Sequence, residues 1–535
     1  MTDADRRHPP VTEGVPGCPP TTEGAGHRPP RTEAAHRRPA LEPVWITPED
    51  ARYSNLVRGA NHRFTSSPRL IRVVGSAEQT LEAVQEAVDA GLRLAVRSGG
   101  HCLDGLVDGP DTDLLLDMSE MSQVYYDPGM GAFAVEPGAL LGDVYRTLYK
   151  GWGVTVPGGA FPGVAAGGHI VGGGYGALTR RHGCVVDFLH AVEVVVVDAS
   201  GGARRVVATR EDDGELGDLW WAHTGGGGGT FGVVTRYWLR SVDTTGTGPS
   251  GLLPRPPAAV LDSLVTWPWQ DMSGQRFRRL MRNHAQWHER NSAPDSPYAS
   301  LYSVLNVLHR ASGVLLTSTQ MDAAVPDARR LLRAYVDALD EGVGLNPACT
   351  VRTRPWLESV LQAGLPDTGS RWKGKAAYLL KGYTDRQLDA LYEGLSGVGY
   401  ANPGAGVQFM SYGGAVRAVA PDATATAQRN AVLKVLYVTT WREPDEDAHH
   451  LDWIRRLYRE VYAHTGGVPV PDEVSDGSYI NYPDTDLADP KWNTSGVPWS
   501  TLYYKDNYPR LRRAKAHWDP KGVFRHALSV EPARD

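Results

Sequence analysis

The chain has 535 residues, 41% of them hydrophobic and 22% charged, and carries a net charge of −6 at neutral pH. That is the composition of a water-soluble globular protein with room for about three domains, and the acidic balance argues against a dedicated binder of nucleic acid or anionic membrane. Four cysteines are too few for a disulfide scaffold, no Cys/His group has zinc spacing, and no run approaches the ~20 uninterrupted apolar residues of a membrane helix.

Residues 1–43 hold a decayed ten-residue repeat: His8-Pro9-Pro10-Val11-Thr12-Glu13, Cys18-Pro19-Pro20-Thr21-Thr22-Glu23 and Arg28-Pro29-Pro30-Arg31-Thr32-Glu33. Proline blocks helix and ladder hydrogen bonds, and little here is apolar enough to bury, so a disordered tail is expected. Arg6-Arg7 and Arg37-Arg38 precede no apolar segment and do not read as a signal, which leaves cytoplasmic location as the default expectation. The sequon Asn493-Thr494-Ser495 then reads as chance.

From there the pattern changes to that of a folded protein. Ile71–Val74, Leu92–Val96, Leu114–Asp117 and Ala132–Val135 read as short strands, and Thr80–Ala90 and Gly138–Trp152 as helices. Val192–Asp198, the turn Ala199-Ser200-Gly201-Gly202 and Ala203–Val207 spell a hairpin. A stretch rich in Gly, Thr and Pro at Thr244–Pro257 suggests a connection. Beyond it Val260–Trp267 and Leu301–Leu308 read as strands, and Phe277–Arg290, Asp327–Leu339 and Tyr508–His517 as helices. His284 and His288, four apart, lack a third metal ligand and read as a solvated helix face. No GxSxG nucleophile elbow is present.

The 60 glycines concentrate in four runs. The first is Arg97-Ser98-Gly99-Gly100-His101, directly after a strand. The second holds Gly158, Gly159, Gly163, Gly167, Gly168 and His169; the third is Gly172-Gly173-Gly174-Tyr175-Gly176; the fourth is Thr224–Gly232, leading into Val233. A single such run is most simply a flexible loop. Four, each flanked by apolar segments, also suit backbone nests that cradle a phosphate without side chains in the way. No GKS or GKT follows any of them, which excludes a Walker loop, and the GxGxxA match at Gly172–Ala177 lacks the strand and acidic partner of a dinucleotide fingerprint.

Together these runs closely resemble the flavin domain of the berberine-bridge-enzyme-like oxidases of the vanillyl-alcohol-oxidase superfamily. Asn481-Tyr482-Pro483-Asp484, Tyr503–Tyr508 and Trp518-Asp519-Pro520-Lys521-Gly522-Val523-Phe524 resemble that family's carboxy-terminal element. Within the family the chain is most similar to sugar oxidases of actinomycete natural-product pathways, of the aclacinomycin-oxidoreductase type. The resemblance implies an α+β protein: a PCMH-type FAD-binding domain over 44–243, a substrate domain with an antiparallel sheet over 244–478, and a carboxy-terminal element over 479–535 returning to the flavin domain.

It also implies site residues. His101 corresponds to the histidine joined covalently to the 8α-methyl of FAD. The cysteine that often makes a second bond is here Phe161, so a single link is expected, with neither Cys102 nor Cys184 placed to replace it. Tyr482 corresponds to the catalytic base, Tyr378 to an assisting tyrosine, and Asn507 and Tyr508 to flavin-contacting residues. A phenol with an ordinary pKa near ~10 needs help to act as a base at neutral pH.

The implied activity is oxidation of a hydroxyl on a sugar or a glycosylated or polyketide-type metabolite. Hydride passes to the flavin and molecular oxygen is reduced to hydrogen peroxide. No metal, nucleic acid or membrane is expected, and the chain is expected to be a monomer or homodimer. The alternatives are oxidative cyclisation, dehydrogenation or oxygenation on the same fold, a nicotinamide-dependent reductase, or a flavin carrier without catalysis.

Overall fold

The computed structural model describes residues 41–242, 244, 248–362 and 370–533. The expected tail as far as residue 40, and residues 245–247 of the expected connection, lie outside them.

Strands β1 (Val44–Ile46), β2 (Leu70–Val73), β3 (Leu94–Arg97) and β4 (Leu114–Asp117) form a sheet in the order β1-β2-β4-β3. β2 and β3 both run parallel to β4. A parallel arrangement needs a crossover, and the helix Ala77–Asp89 supplies it between β2 and β3. Ser76 caps this helix by accepting the Gln79 amide at 3.2 Å, and Thr80, Ala83, Val84 and Ala87 form its buried stripe.

A second sheet, wholly antiparallel, takes the order β5-β6-β9-β7-β8 from β5 (Val124–Asp127), β6 (Ala132–Val135), β7 (Leu189–Val197), β8 (Ala203–Thr209) and β9 (Val233–Leu239). Every residue of β7 is buried, because both its faces are covered. Val192, Val194 and Val196 join the main core, whereas Val195 and Val197 pack with Val84, Leu114 and Phe524. A strand buried on two sides shows a continuous apolar run rather than alternation. The expected hairpin follows, its turn closed by Asp198, whose Oδ1 accepts the Ser200 and Gly202 amides at 2.8 and 3.0 Å.

The third sheet has seven antiparallel strands: β10 (Ala259–Pro268), β11 (Tyr302–Leu308), β12 (Val314–Asp322), β13 (Ala348–Pro355), β14 (Arg371–Leu379), β15 (Gly406–Ser411) and β16 (Leu433–Trp441). Their order is β13-β10-β12-β11-β15-β16-β14. Helices Gly274–Arg290, Ala328–Asp340, Asp385–Ser396 and Asp447–Val461 pack with one another and against this sheet. Trp267 points to that helical side, its indole nitrogen donating to Asp340 Oδ1 at 2.9 Å. Asp262, Leu264 and Gln320 line a cleft on the opposite side.

One expectation is corrected here. His284 and His288 are not on a solvated face; both are fully buried. They continue the inward stripe of Phe277, Leu280, Met281 and Ala285 at helical spacing, and His288 Nε2 meets Ser411 Oγ at 2.8 Å. Burial lowers the pKa of each, His284 to about 3, so both are neutral core residues.

The carboxy-terminal helix Tyr508–Trp518 returns to the first half of the chain. Lys515 Nζ donates to the Thr230 and Phe524 carbonyls, each at 2.6 Å, and to Asp519 Oδ2. Asp519 accepts the Val523 and Phe524 amides at 2.8 and 3.0 Å, which closes the Pro520–Gly522 turn and seats Phe524 in the core beside β7. Burial works against both charges, raising Asp519 and lowering Lys515, so each depends on the other. Asp519→Ala is therefore expected to cost about 3–5 kcal/mol in urea unfolding, because it strands a buried ammonium; a loss near that of a surface substitution would contradict this account.

Candidate active site

The glycine runs converge at the ends of the first two sheets. Ser98 and Gly99 lie against the short helix Ala166–Val171: a Cβ on Gly99 would come within 2.8 Å of Ala165 Cβ, and one on Gly167 within 2.3 Å of Ser98 Oγ. Gly100 has φ +70°, open to glycine at no steric cost, and its carbonyl accepts the Ala60 amide at 2.8 Å. Among the described residues no protein acceptor takes the amide hydrogens of Gly99, Gly100 and His101. Gly168 is exposed, and a Cβ there would meet nothing within 4 Å. Free amides beside space without side chains suit the diphosphate of FAD. The His101 ring is half-buried against the Gly163 carbonyl; burial lowers its pKa, and that carbonyl acts in the opposite direction.

The second and third runs are pinned by buried side chains. The Gly159 amide donates to His169 Nε2 at 3.1 Å, and Tyr145 donates to the Gly159 carbonyl at 2.6 Å. His169 accepts here, in keeping with a pKa lowered to about 4 by burial and by Lys434. Gly176 admits no side chain, since a Cβ would lie 1.8 Å from the Gly158 carbonyl oxygen.

Tyr175 projects from the third run into a group of five tyrosines. Its hydroxyl meets that of Tyr482 at 2.5 Å, and Met410 Sδ lies 3.0 Å away. The Gly174 amide donates to the Tyr479 hydroxyl at 3.2 Å, while Asn481 Nδ2 donates to the His169 carbonyl at 3.0 Å and to the same hydroxyl at 3.2 Å. These bonds fasten the Asn481-Tyr482-Pro483 segment onto the glycine runs.

At the centre is Lys434 of β16. Its Nζ lies 3.4 Å from the ring centroids of both Tyr175 and Tyr479, 4.8 Å from that of Tyr378 and 4.9 Å from that of Tyr412. No carboxylate pairs with it among the described residues. Burial pulls its pKa well below the ordinary lysine value. Burial likewise pushes Tyr482 up to about 12, with the Tyr175 hydrogen bond opposing. Tyr378 joins this group through Tyr412, Tyr479 and Lys434, not through contact with Tyr482.

A cleft of about 430 Å³ runs between the glycine-run side, at Gly158, Ala160 and Ala177, and strands β10 to β13. Tyr302 lies on its wall, close enough that Tyr482 adds to the effect of burial in raising its pKa. Phe161, half exposed, follows Ala160 on the same loop.

The remaining expected residues stand apart from this group. Arg97 is buried in an ion pair with Asp117 at 2.7 Å. The Val233 side chain lies in the core with Val195 and Phe524. Asn507 Nδ2 donates to the Pro421 and Thr424 carbonyls at 2.8 and 3.1 Å, bracing a loop that packs on Thr224 and Gly225. Tyr508 stacks on Tyr504, which donates to the Gly226 carbonyl at 2.9 Å. Sequence reasoning missed Lys434, Tyr412, Tyr479 and Tyr302. A lysine inside an otherwise apolar strand was the available signal for the first. Among the described residues no group of three His, Cys, Asp or Glu side chains is placed to hold a metal, and no helix is long and apolar enough to cross a membrane.

Glycine runs with free amides, a histidine beside them and a carboxy-terminal element fastened onto them by Tyr479 and Asn481 fit an FAD-linked oxidoreductase. Residues 68–206 match the model of the FAD binding domain, and residues 478–531 match that of the berberine and berberine-like element. The chain belongs to the berberine-bridge-like family of FAD-dependent oxidases. It is 53% identical over 486 residues to the aclacinomycin-N/aclacinomycin-A oxidase of Streptomyces galilaeus, covering 90% of this chain and 89% of that one. Among solved structures, a glycopeptide hexose oxidase complexed with teicoplanin superposes with a TM-score of 0.89 at 52% identity, covering 93% of this chain and 100% of that one. GilR, an oxidoreductase of the terminal step of gilvocarcin biosynthesis, superposes with a TM-score of 0.88 at 41% identity, covering 91% and 99%.

Gly168→Val places a branched side chain in the open space beside the free amides. Its bound flavin, read as the ratio of flavin to protein absorbance, is expected to fall below about half the wild-type ratio, with the circular dichroism unchanged. A wild-type ratio would put the cofactor elsewhere.

Proposed function

We propose that the protein oxidises a secondary hydroxyl on a sugar or on a glycosylated polyketide-type metabolite, with Tyr482 as the base. The observation that carries this reading is the Tyr482–Tyr175 hydroxyl pair beside Lys434 Nζ, which lies 3.4 Å from the Tyr175 ring centroid. The substrate class comes from the relatives, whose names describe oxidation of aclacinomycins and of a glycopeptide hexose. The cleft suits it: the aromatic Tyr302 is joined by the polar Gln320, Arg352 and Arg354 along one wall.

The residues divide the work as follows. Gly99, Gly100, Gly168 and the pinned second run would hold FAD, with His101, its pKa lowered by burial, as the single covalent anchor. Phe161 offers no thiol, and the Cys102 thiol, pushed up to about 12 by burial, donates to the Asp104 carbonyl at 3.0 Å. When bound, FAD supplies the acceptor for the hydride of the alcohol carbon and passes the electrons to molecular oxygen, giving hydrogen peroxide.

Tyr482 takes the hydroxyl proton. Its phenolate is shared with Tyr175 through the short hydrogen bond and is balanced by Lys434 over the Tyr175 ring. Tyr378, Tyr412 and Tyr479 hold that amine in place, so Tyr378 assists through Lys434. Cys184 and Arg429 also face Lys434, and Arg429 is neutralised by Asp187 at 2.8 Å.

Tyr482→Phe should retain flavin but lower the anaerobic rate of flavin reduction about 100-fold to 10,000-fold. The base must be ionised, so activity rises with pH through its pKa. Lys434→Met removes the amine that can take up a proton beside the phenolate as it forms, and the ascending limb of kcat/KM should move up by about one pH unit or more. An unmoved limb would remove Lys434 from the reading. Acid-denatured protein should stay yellow, with flavin on the His101 peptide alone, and His101→Ala should release it. Product analysis under labelled oxygen separates oxidation of the alcohol from oxygen insertion.

A further inference from the structure

Tyr482 and His101 come from opposite ends of the chain, yet one carboxylate joins their loops. Asp104 stands three residues after His101, and Thr485 three residues after Tyr482. Asp104 Oδ2 accepts the Thr485 amide at 2.8 Å and the Thr485 hydroxyl at 2.9 Å. The same oxygen accepts Lys373 Nζ at 3.0 Å, and Oδ1 accepts Arg63 Nη2 at 2.8 Å. Asp104 is 4% exposed.

The two loops are then tied to one strand. Lys373 of β14 also meets Asp484 Oδ1 at 2.7 Å, and Lys375, two residues on, donates to Asp484 Oδ2 at 2.5 Å and to Asp486 Oδ2 at 2.8 Å. On β14 Tyr378 pairs directly with Lys434 of β16. A single rigid element thus references the loop of His101, the loop of Tyr482 and the amine between the tyrosines.

We propose that Asp104 is a positioning residue that sets the spacing between the cofactor anchor at His101 and the base at Tyr482. This rests on the roles assigned to those two residues above. The requirement is for a carboxylate of this length. Five donors, counting the Gly105 amide at 3.3 Å from Oδ1, converge on its two oxygens, whereas an amide has one oxygen and would turn a donor toward Lys373 or Arg63. A longer acid keeps the charge but displaces Thr485. An error of about 1 Å in such an alignment costs about 100-fold in rate.

The test compares holoenzymes of wild type, Asp104→Glu, Asp104→Asn, Thr485→Val and Tyr482→Phe. The substrate is the glycoside that reduces the wild-type flavin fastest in a panel led by aclacinomycin A. For Asp104→Glu the expected result is covalent flavin at the wild-type level, KM within about twofold and kcat lowered about tenfold to 100-fold, with the pH limb in place. Thr485→Val, which removes only the hydroxyl contact, should show a smaller loss in the same sense and serves if the Asp104 variants do not fold. Wild-type kcat in Asp104→Glu, or a loss in KM alone, overturns the proposal while leaving Tyr482 as base. Wild-type flavin reduction in Tyr482→Phe overturns the underlying reading instead.

Discussion

A lysine amine buried without a carboxylate governs the architecture of this site. Removing Lys434 from water is costly, and the faces of four tyrosines offset part of that cost at about 0.5–2 kcal/mol each. Those rings come from distant places: Tyr175 from a glycine run, Tyr378 from β14, Tyr412 from just past β15 and Tyr479 from the carboxy-terminal element. The enclosure forms only when the glycine run, the seven-stranded sheet and the carboxy-terminal element come together. Until then Lys434 keeps its water.

The second constraint is electrostatic in the ordinary sense. Arg63, Lys373, Lys375 and Arg455 face Asp104, Asp484 and Asp486 in a buried knot. Burial alone would raise Asp104, yet Lys373 and Arg63 outweigh it and hold the carboxyl below its usual range. The Lys373 ammonium, which burial alone would lower, is raised by Asp484, Asp104 and Asp486. Such networks are weak evidence for net stability, because each charge has first been desolvated. What this one supplies is a fixed mutual placement of the Asp104 loop, the Asp484–Asp486 loop and β14.

Local pattern revealed the elements whose reasons are local. The Ala77–Asp89 helix has its cap at Ser76 and its stripe, and the β7–β8 hairpin has its Asp-Ala-Ser-Gly-Gly turn; both stand where the sequence puts them. The glycine runs and tyrosines were legible only as motifs, since a resemblance shows which residues belong together and not how they touch. The strands β12 to β16 escaped. β14 reads Arg-Trp-Lys-Gly-Lys-Ala-Ala-Tyr-Leu, and two lysines argue against a buried strand until the carboxylates more than 100 residues away are known. His284 and His288 misled for the same reason: a polar side chain was assumed to want water, and a protein neighbour or simple neutrality served instead.

One strand has a different standing from the others. β13 is at the margin of the seven-stranded sheet, bonded only to β10, and nearly all of it is exposed. Its alternate residues Thr350, Arg352 and Arg354 nevertheless form a wall of the cleft. Part of the wall of the proposed substrate cleft is therefore borne on the strand with the fewest obligations to the core. That part can change while the tyrosines, Lys434 and the glycine runs stay as they are, so the cleft can be refitted from its margin.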